Sequence, residues 1–385
     1  MGIKIAMVGT GAFARSFIPL FKVHPWVDEV ALCDLDATKL EQASREYGLS
    51  KTYPSLDPVC DSDVDAAVII TQNWLHAPQA VQALRAGKHV YSAVPTGITV
   101  DEIQTLVRTV EETGLIYMLG ETSYYRAEDV YCRQRAAAGD FGHIVYAEAE
   151  YYHDFSHGLY EVFQHRGGER WREFAGGPPM HYPTHSTSQI VSVTGAHMTH
   201  VACFGFVDRA DDGIFQADAN RWGNVFSDET ALFKMSDGSS CRINEFRRVG
   251  HPGCERLSQV IGTEASFEAN AAGRRWLTKD RRQTIDLDEM LRSGDVTVDG
   301  ATFHGVASVH DVSRLPREFA ALPTGHGGSH QFLADDFVRA CVNRAQPPNN
   351  VWRAARYALP GIVAHESAVQ RGVLLAVPDF GDPPA

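Results

Sequence analysis

Two groups of residues in this sequence could do chemistry. The first is Gly9-Thr10-Gly11-Ala12-Phe13-Ala14, a G-x-G-x-x-A loop directly after the apolar run Ile3–Val8. Glycines at this spacing let the backbone turn tightly and approach a pyrophosphate, while the small Ala14 lets the next helix pack closely on its strand. Amides at the start of that helix would hold the phosphates. The second apolar run, Val30–Cys33, ends at Asp34, about 25 residues after Gly9. A carboxylate there accepts from ribose hydroxyls and repels a 2′-phosphate, so NAD is the expected cofactor. The alternative for Asp34 is a cap on the following helix. The second group is His181, Tyr182 and His185. Histidine titrates near neutrality and a tuned tyrosine can pass a proton, which suits general acid–base work. His181 and His185 are four apart and would share a helix face, with Tyr182 to the side. The alternative is a helix entry where the tyrosine packs and a histidine caps. His326 and His330 repeat the His-x-x-x-His spacing, but two histidines without a nearby cysteine do not make a zinc site, and no metal is expected.

These groups need a scaffold, and the first 120 or so residues supply one. The runs Ile3–Val8, Val30–Cys33, Ala66–Ile70, His89–Tyr91 and Ile116–Leu119 are too short for helices and read as buried parallel strands. Helical patterns over Ala14–Phe21, Ala37–Tyr47, Pro78–Ala86 and Val100–Thr113 separate them, with Gly48, Gly87 and Gly114 at left-handed caps. Strands alternating with such helices form a doubly wound sheet. Thr71, Asn73 and His76 follow the third strand and Pro95 the fourth, at the edge where ligands bind, so all four are expected at the cofactor. His76 could equally cap the helix at Pro78. Trp74 could stack on a sugar or nicotinamide face, or simply pack. Tyr124 and Arg126, past the fifth strand, are expected to reach a sugar. Beyond residue 142 or so the runs Ile144–Tyr151, Thr230–Met235 and Leu257–Ile261 alternate polar and apolar, as in an antiparallel sheet with one covered face. Asp237-Gly238-Ser239 reads as a hairpin turn, Thr187–Val193 and His330–Arg344 as helices. The expected fold is α/β: a Rossmann domain over 1–122, then an α+β domain over 123–385 with an open, mostly antiparallel sheet. The C-terminal helix would be free to pack back on the first domain.

A chain of 385 residues suits two domains, and 44% hydrophobic with 22% charged residues is ordinary globular composition. A net charge of −13 argues against a nucleic-acid partner. No apolar run reaches membrane-spanning length, and strand-like sequence begins at Ile3, leaving no room for a signal peptide. Seven scattered cysteines without a CxxC pair suggest a reducing, cytoplasmic setting. Two basic loops stand out in this acidic chain, one holding Arg166, Arg170 and Arg172, the other Arg247 and Arg248. Arginine forks bind carboxylates or sulfonates in pairs of hydrogen bonds, which would suit an anionic sugar. The alternative is pairing with surface acids.

Thr71-Gln72-Asn73-Trp74-Leu75-His76, Gly87-Lys88-His89-Val90 and Val94-Pro95 together resemble the Gfo/Idh/MocA family. The resemblance implies a Rossmann domain followed by an α/β domain with an open sheet. Most members carry Glu-Lys-Pro where this chain has Ala93-Val94-Pro95, so the lysine that assists proton transfer from the oxidised hydroxyl is missing. Lys88 precedes the strand and cannot stand in for it. One branch, the NAD-dependent glycosidases typified by bacterial α-N-acetylgalactosaminidases, has valine at that place. Tyr182-Pro183-Thr184-His185 after Gly176-Gly177, the turn Gly325-His326-Gly327-Gly328, and Val377-Pro378-Asp379-Phe380 look like that branch, although its glutamate before Val-Pro is Ala93 here. The resemblance implies redox-neutral glycoside cleavage: a ring carbon, C3, gives up hydride to NAD, the acidified neighbouring C–H loses its proton, and the aglycone leaves. Water then adds and the hydride returns. It assigns acid–base work to His185 with Tyr182 as partner and His181 beside them, and it places His326 at the substrate. An ordinary sugar dehydrogenase or keto-sugar reductase is the alternative, and a non-catalytic NAD-binding protein a third. The expected partners are a small-molecule glycoside and further copies of the chain, joined through the C-terminal sheet.

Overall fold

The computed structural model describes residues 2–280 and 283–384, apart from the side chain of Arg166. Contacts divide the chain into two compact units: Met1–Val130 with Met290–Ala355 and Phe380–Ala385, and Tyr131–Glu289 with Arg356–Asp379. Everything after residue 122 was expected in the second domain; instead 290–355 joins the first unit.

In that first unit β1 (Ile3–Val8), β2 (Val27–Cys33), β3 (Thr52–Tyr53), β4 (Ala66–Ile69), β5 (His89–Ser92) and β6 (Tyr117–Leu119) form one sheet in the order β3-β2-β1-β4-β5-β6. Every pairing is parallel, with Met7 of β1 beside Leu32 of β2 and Val68 of β4. The order runs outward from β1 in both directions, so a crevice opens beyond the carboxyl ends of β1 and β4. The helix expected over Ala14–Phe21 is two short ones, Ala12–Arg15 and Ile18–Val23. Pro19 explains the restart: it lacks an N–H to continue an earlier helix but fits the first turn of a new one. Helix Ser329–Asn343 lays Phe332, Leu333 and Phe337 into the core that holds Ile5, Met7, Phe17, Phe21 and Tyr91.

In the second unit β7 (Ile144–Tyr152), β8 (Met198–Val207), β9 (Phe226–Met235), β10 (Ser240–Phe246), β11 (Cys254–Gly262), β12 (Ala265–Asn270), β13 (Gly273–Thr278) and β14 (Ile285–Asp286) make the open sheet. Its order is β14-β13-β12-β11-β7-β10-β9-β8, closed at the far edge by Leu375–Ala376. β7 and β10 run parallel; the other pairings are antiparallel. Side chains alternate between faces. One face, with Ala147, Ala149, Cys241 and Ile243, is buried, and helix Thr184–Thr194 packs across β7, β10 and β11. On the other, Phe204 and Leu232 are exposed beside the pair Arg242–Glu148. Among the described residues no helix is long and apolar enough to cross a membrane.

Candidate active site

The glycine loop is built at the end of β1. Gly9 has φ +98°, and a Cβ there would lie 2.2 Å from the carbonyl oxygen of Ile70, so only glycine fits. Gly11 is the reverse case: its Cβ position is open space, and the backbone there is exposed. That opening is what a pyrophosphate needs. Ala12 begins the first helix, and Ala14 is buried against the sheet. That helix is one turn long, so what it offers an anion is its first free amides rather than a long dipole. Phe13 packs edge-on to Phe17, His326 and His330.

Asp34 closes the loop. Its Oδ2 accepts from the amide of Thr10 at 2.9 Å and from the Thr10 hydroxyl at 2.8 Å, and its Oδ1 accepts from the Asp36 amide at 2.9 Å. The cap on helix Ala37–Tyr47 is Asp36, which accepts from Thr38 and Lys39, so the capping alternative for Asp34 falls. The residues present therefore fit a dinucleotide: an open backbone at Gly11 and a carboxylate fixed at the end of β2.

His76 is placed differently from both readings of it. It begins helix His76–Arg85, is almost wholly buried, and sets Nδ1 2.9 Å from the Pro95 carbonyl and Nε2 3.2 Å from the Thr71 carbonyl. It ties the ends of β4 and β5 together instead of presenting its ring to a ligand. Thr71 spends its hydroxyl on Gln79 at 2.6 Å. Asn73 and Trp74 lie in a half-buried 3₁₀ turn, Asn73–Leu75. Lys88 donates to the Ser62 carbonyl at 2.6 Å, before β5, away from the strand end that carries Ala93-Val94-Pro95. After β6, Glu121 is buried and its Oε1 accepts from the Ser123 amide. Tyr124 stands half-buried, edge-on to Tyr125, whose hydroxyl donates to Asp336; Arg126 follows, half-buried. His326 is exposed with φ +50°, and its Nδ1 lies 2.9 Å from Nε2 of the buried His330. Burial beside Phe13 and Phe17 pushes His330 down to about 3.

In the second unit His185 sits in helix Thr184–Thr194, buried, with Nδ1 3.8 Å from Oε1 of Glu255 on β11. Its ring is 5.2 Å from those of both Tyr182 and Tyr151. The expected helical face shared by His181 and His185 does not form. His181 ends a separate 3₁₀ turn, Pro179–His181, and Pro183 intervenes before the helix begins. His181 meets the ring of His365 instead, which bonds Glu229 at 2.8 Å. Burial, aided by His365, drives His181 down to about 3, so it is neutral at physiological pH.

Four residues escaped the sequence reading. Tyr151, next to last in β7, sets its hydroxyl 2.8 Å from Nδ1 of His153; burial raises that phenol and lowers that imidazole. Glu245 on β10 accepts from Ser186 Oγ, and burial, opposed by Arg247, pushes it up to about 8. Glu255 faces His185. A signal did exist: Glu245 shares its parity with the inward Cys241 and Ile243, and a polar residue at an apolar position asks for an explanation.

The arginine loops divide. Arg170 grips Glu173 through Nε at 2.6 Å and Nη2 at 2.5 Å in the exposed surface. Arg172 stacks on Trp171 and donates to the Asp212 carbonyl. Arg248 lies among Phe155, Tyr160 and Phe215 and pairs with Asp212. The side chain of Arg166 lies outside the described residues. Arg247 alone of the described four reaches the His185 cluster, its guanidinium 4.9 Å above the Tyr151 ring. Arg170 is thus held by an exposed acid and Arg248 by the half-buried Asp212, while Arg172 is held by a backbone carbonyl.

The profile of an oxidoreductase family with an NAD-binding Rossmann fold, Gfo/Idh/MocA, matches residues 3–121. A glycosyl hydrolase family 109 protein of Saccharopolyspora erythraea is 24% identical over 98% of this chain and 83% of its own length. A second, from Solibacter usitatus, is 26% identical over 98% and 88%. The crystal structure of scyllo-inositol dehydrogenase from Lactobacillus casei with bound NAD(H) and scyllo-inositol superposes with a TM-score of 0.71 at 17% identity, covering 98% of this chain and 99% of that one. The nucleotide loop and the matched profile agree: residues 3–121 carry the NAD-binding Rossmann fold of the Gfo/Idh/MocA family, and the cofactor is NAD.

Proposed function

We propose that the chain is an NAD-dependent glycosidase that cleaves its substrate by transient oxidation, elimination, hydration and re-reduction. The observation that carries this reading is a proton-transfer cluster of His185, Tyr182, Tyr151 and His153 in a chain whose lysine position is Val94. A plain alcohol oxidation needs one base at the reacting hydroxyl. Elimination and hydration need more: a base for the C–H, a donor for the leaving oxygen and a path for protons in both directions. NAD, when bound, accepts the hydride from the ring carbon and gives it back.

The protein's own tasks follow from its side chains. Gly11 leaves room for the pyrophosphate, and Asp34 receives a ribose hydroxyl. His185, steadied by Glu255 and two tyrosine rings, takes up and returns a proton at its imidazole. Tyr182 offers its hydroxyl to the departing oxygen. Tyr151 and His153, already 2.8 Å apart, can pass a proton between oxygen and nitrogen. The arginine pairings favour a neutral glycoside over an anionic one. Within the same reading the chain works as a homo-oligomer through the second sheet, supported by Phe204, Phe206 and Leu232 exposed on its surface.

Incubation of the purified protein with a panel of aryl glycosides, following aglycone release and absorbance at the NADH wavelength together, tests the reading. Release of aglycone without net NADH is expected. NADH formed in step with substrate would favour the dehydrogenase, and no turnover with intact NAD binding would favour a binding protein.

A further inference from the structure

The covered face of the second sheet holds a buried Glu245–Arg247 pair whose contacts lead to His185, Tyr182 and Tyr151. Glu245 has no exposed surface. Its Oε1 accepts from Ser186 Oγ at 2.6 Å, and its Oε2 accepts from Arg247 Nη2 at 3.2 Å. The same Nη2 reaches the carbonyl of Pro179 at 3.4 Å, while Nη1 donates to the Phe246 carbonyl at 3.1 Å. The guanidinium lies over the Tyr151 ring. Ser186 is next to His185. Pro179 opens the turn that leads to Tyr182. Tyr151 packs on both His185 and Tyr182. Removing a guanidinium and a carboxyl from water is costly, and such a pair is often no better for stability than apolar residues of the same volume. What this pair adds is a fixed geometry among three separate elements.

We propose that Glu245 and Arg247 are positioning residues that aim His185, Tyr182 and Tyr151, and that Arg247 does not receive a substrate anion. The proposal rests on the proton-transfer roles given to those residues in the proposed function. Because the guanidinium donates to Glu245, Pro179 and Phe246 at once, a substrate carboxylate would have to displace bonds that hold the site together.

The test uses Arg247→Ala, Arg247→Lys and Glu245→Gln in the NAD-loaded, full-length protein. In Arg247→Ala, kcat should fall about tenfold or more with KM changed less than about threefold, and the lysine should restore part of it. NAD affinity, read by fluorescence titration, should not change. An anion receptor would show the opposite split, a raised KM with kcat kept, and that result overturns the proposal. A second readout needs no turnover: the ring signals of His185 in a carbon–proton correlation spectrum, assigned with His185→Gln. They should move, and titrate at a different pH, in Arg247→Ala and Glu245→Gln, with partial return in Arg247→Lys. Unmoved signals in both variants also overturn it. If Arg247→Ala does not fold, Glu245→Gln and Ser186→Ala carry the same two readouts. Wild-type protein that turns over no sugar would refute the proposed function, yet the ring signals would still decide the positioning.

Discussion

Replacing Asp34 by alanine removes the carboxylate that closes the glycine loop onto β2. Three of its acceptor sites are already used, two on Oδ2 by Thr10 and one on Oδ1 by the Asp36 amide. A carboxylate offers about four, so one site on Oδ1 remains for a ribose hydroxyl. A hydrogen bond to a charged acceptor contributes about 1.5–3 kcal/mol, which corresponds to a roughly ten- to 150-fold loss of NAD affinity. The same change removes the charge that repels a 2′-phosphate, so the preference for NAD over NADP should narrow. Calorimetric titration with both nucleotides measures the effect, with circular dichroism as the check on folding. Asp34→Asn separates charge from loop closure. Its amide oxygen can still accept from Thr10, so it should hold the loop yet lose discrimination. A wild type that prefers NADP, or an alanine variant that keeps both affinities within about twofold, would refute this account of Asp34.

Exchanging His185 for alanine should leave NAD bound and cut turnover on the order of 10²–10⁴-fold, the range of a lost general acid–base group; near-normal activity would remove it from the reaction. Tyr182→Phe should fall in the same range if its hydroxyl transfers a proton, as aglycone release will show. Arg170→Ala breaks an exposed pair with Glu173 and should leave kcat/KM within about twofold, because such pairs are worth little. His330 is held at about 3 from an ordinary 6.5, so between those values the unfolded chain binds a proton that the folded one refuses. The stability this gives is complete above 6.5 and is lost as pH falls toward 3, at about 1.4 kcal/mol per pH unit. His330→Gln should flatten that slope in denaturant titrations run at pH 8, 6 and 5; an unchanged slope would place the titration elsewhere.

Five of the six strands of the first unit were legible because they contain a buried apolar run, and the glycine loop because its spacing answers to one geometry. The two-residue β3 is too short to leave a periodic trace. The return of 290–355 to the first unit depends on contacts such as Phe337 with Phe21, which join distant parts of the chain and have no local signature. In the second unit the residue types were readable and their placement was not. His181 and His185 have helical spacing, but Pro183 sits between them, and a proline biases the residue before it away from helix. Arg170 and Glu173 have the i,i+3 spacing of a local pair, a plainer reading than an anion site. Tyr151 was hidden in a strand whose alternation draws attention to packing rather than chemistry, and His153 lies just past its end.

The claim that the bond is broken by oxidation and elimination predicts where solvent hydrogen ends up. If a base removes the C–H next to the transient ketone and a proton later returns from solvent, hydrolysis in deuterated water must place one deuterium at C2 of the released sugar. Nuclear magnetic resonance of the product should show C2 deuterated while C3, rebuilt from the returned hydride, keeps its hydrogen. A released sugar with ordinary hydrogen at C2 would mean that the bond is cleaved without elimination, and would contradict the account.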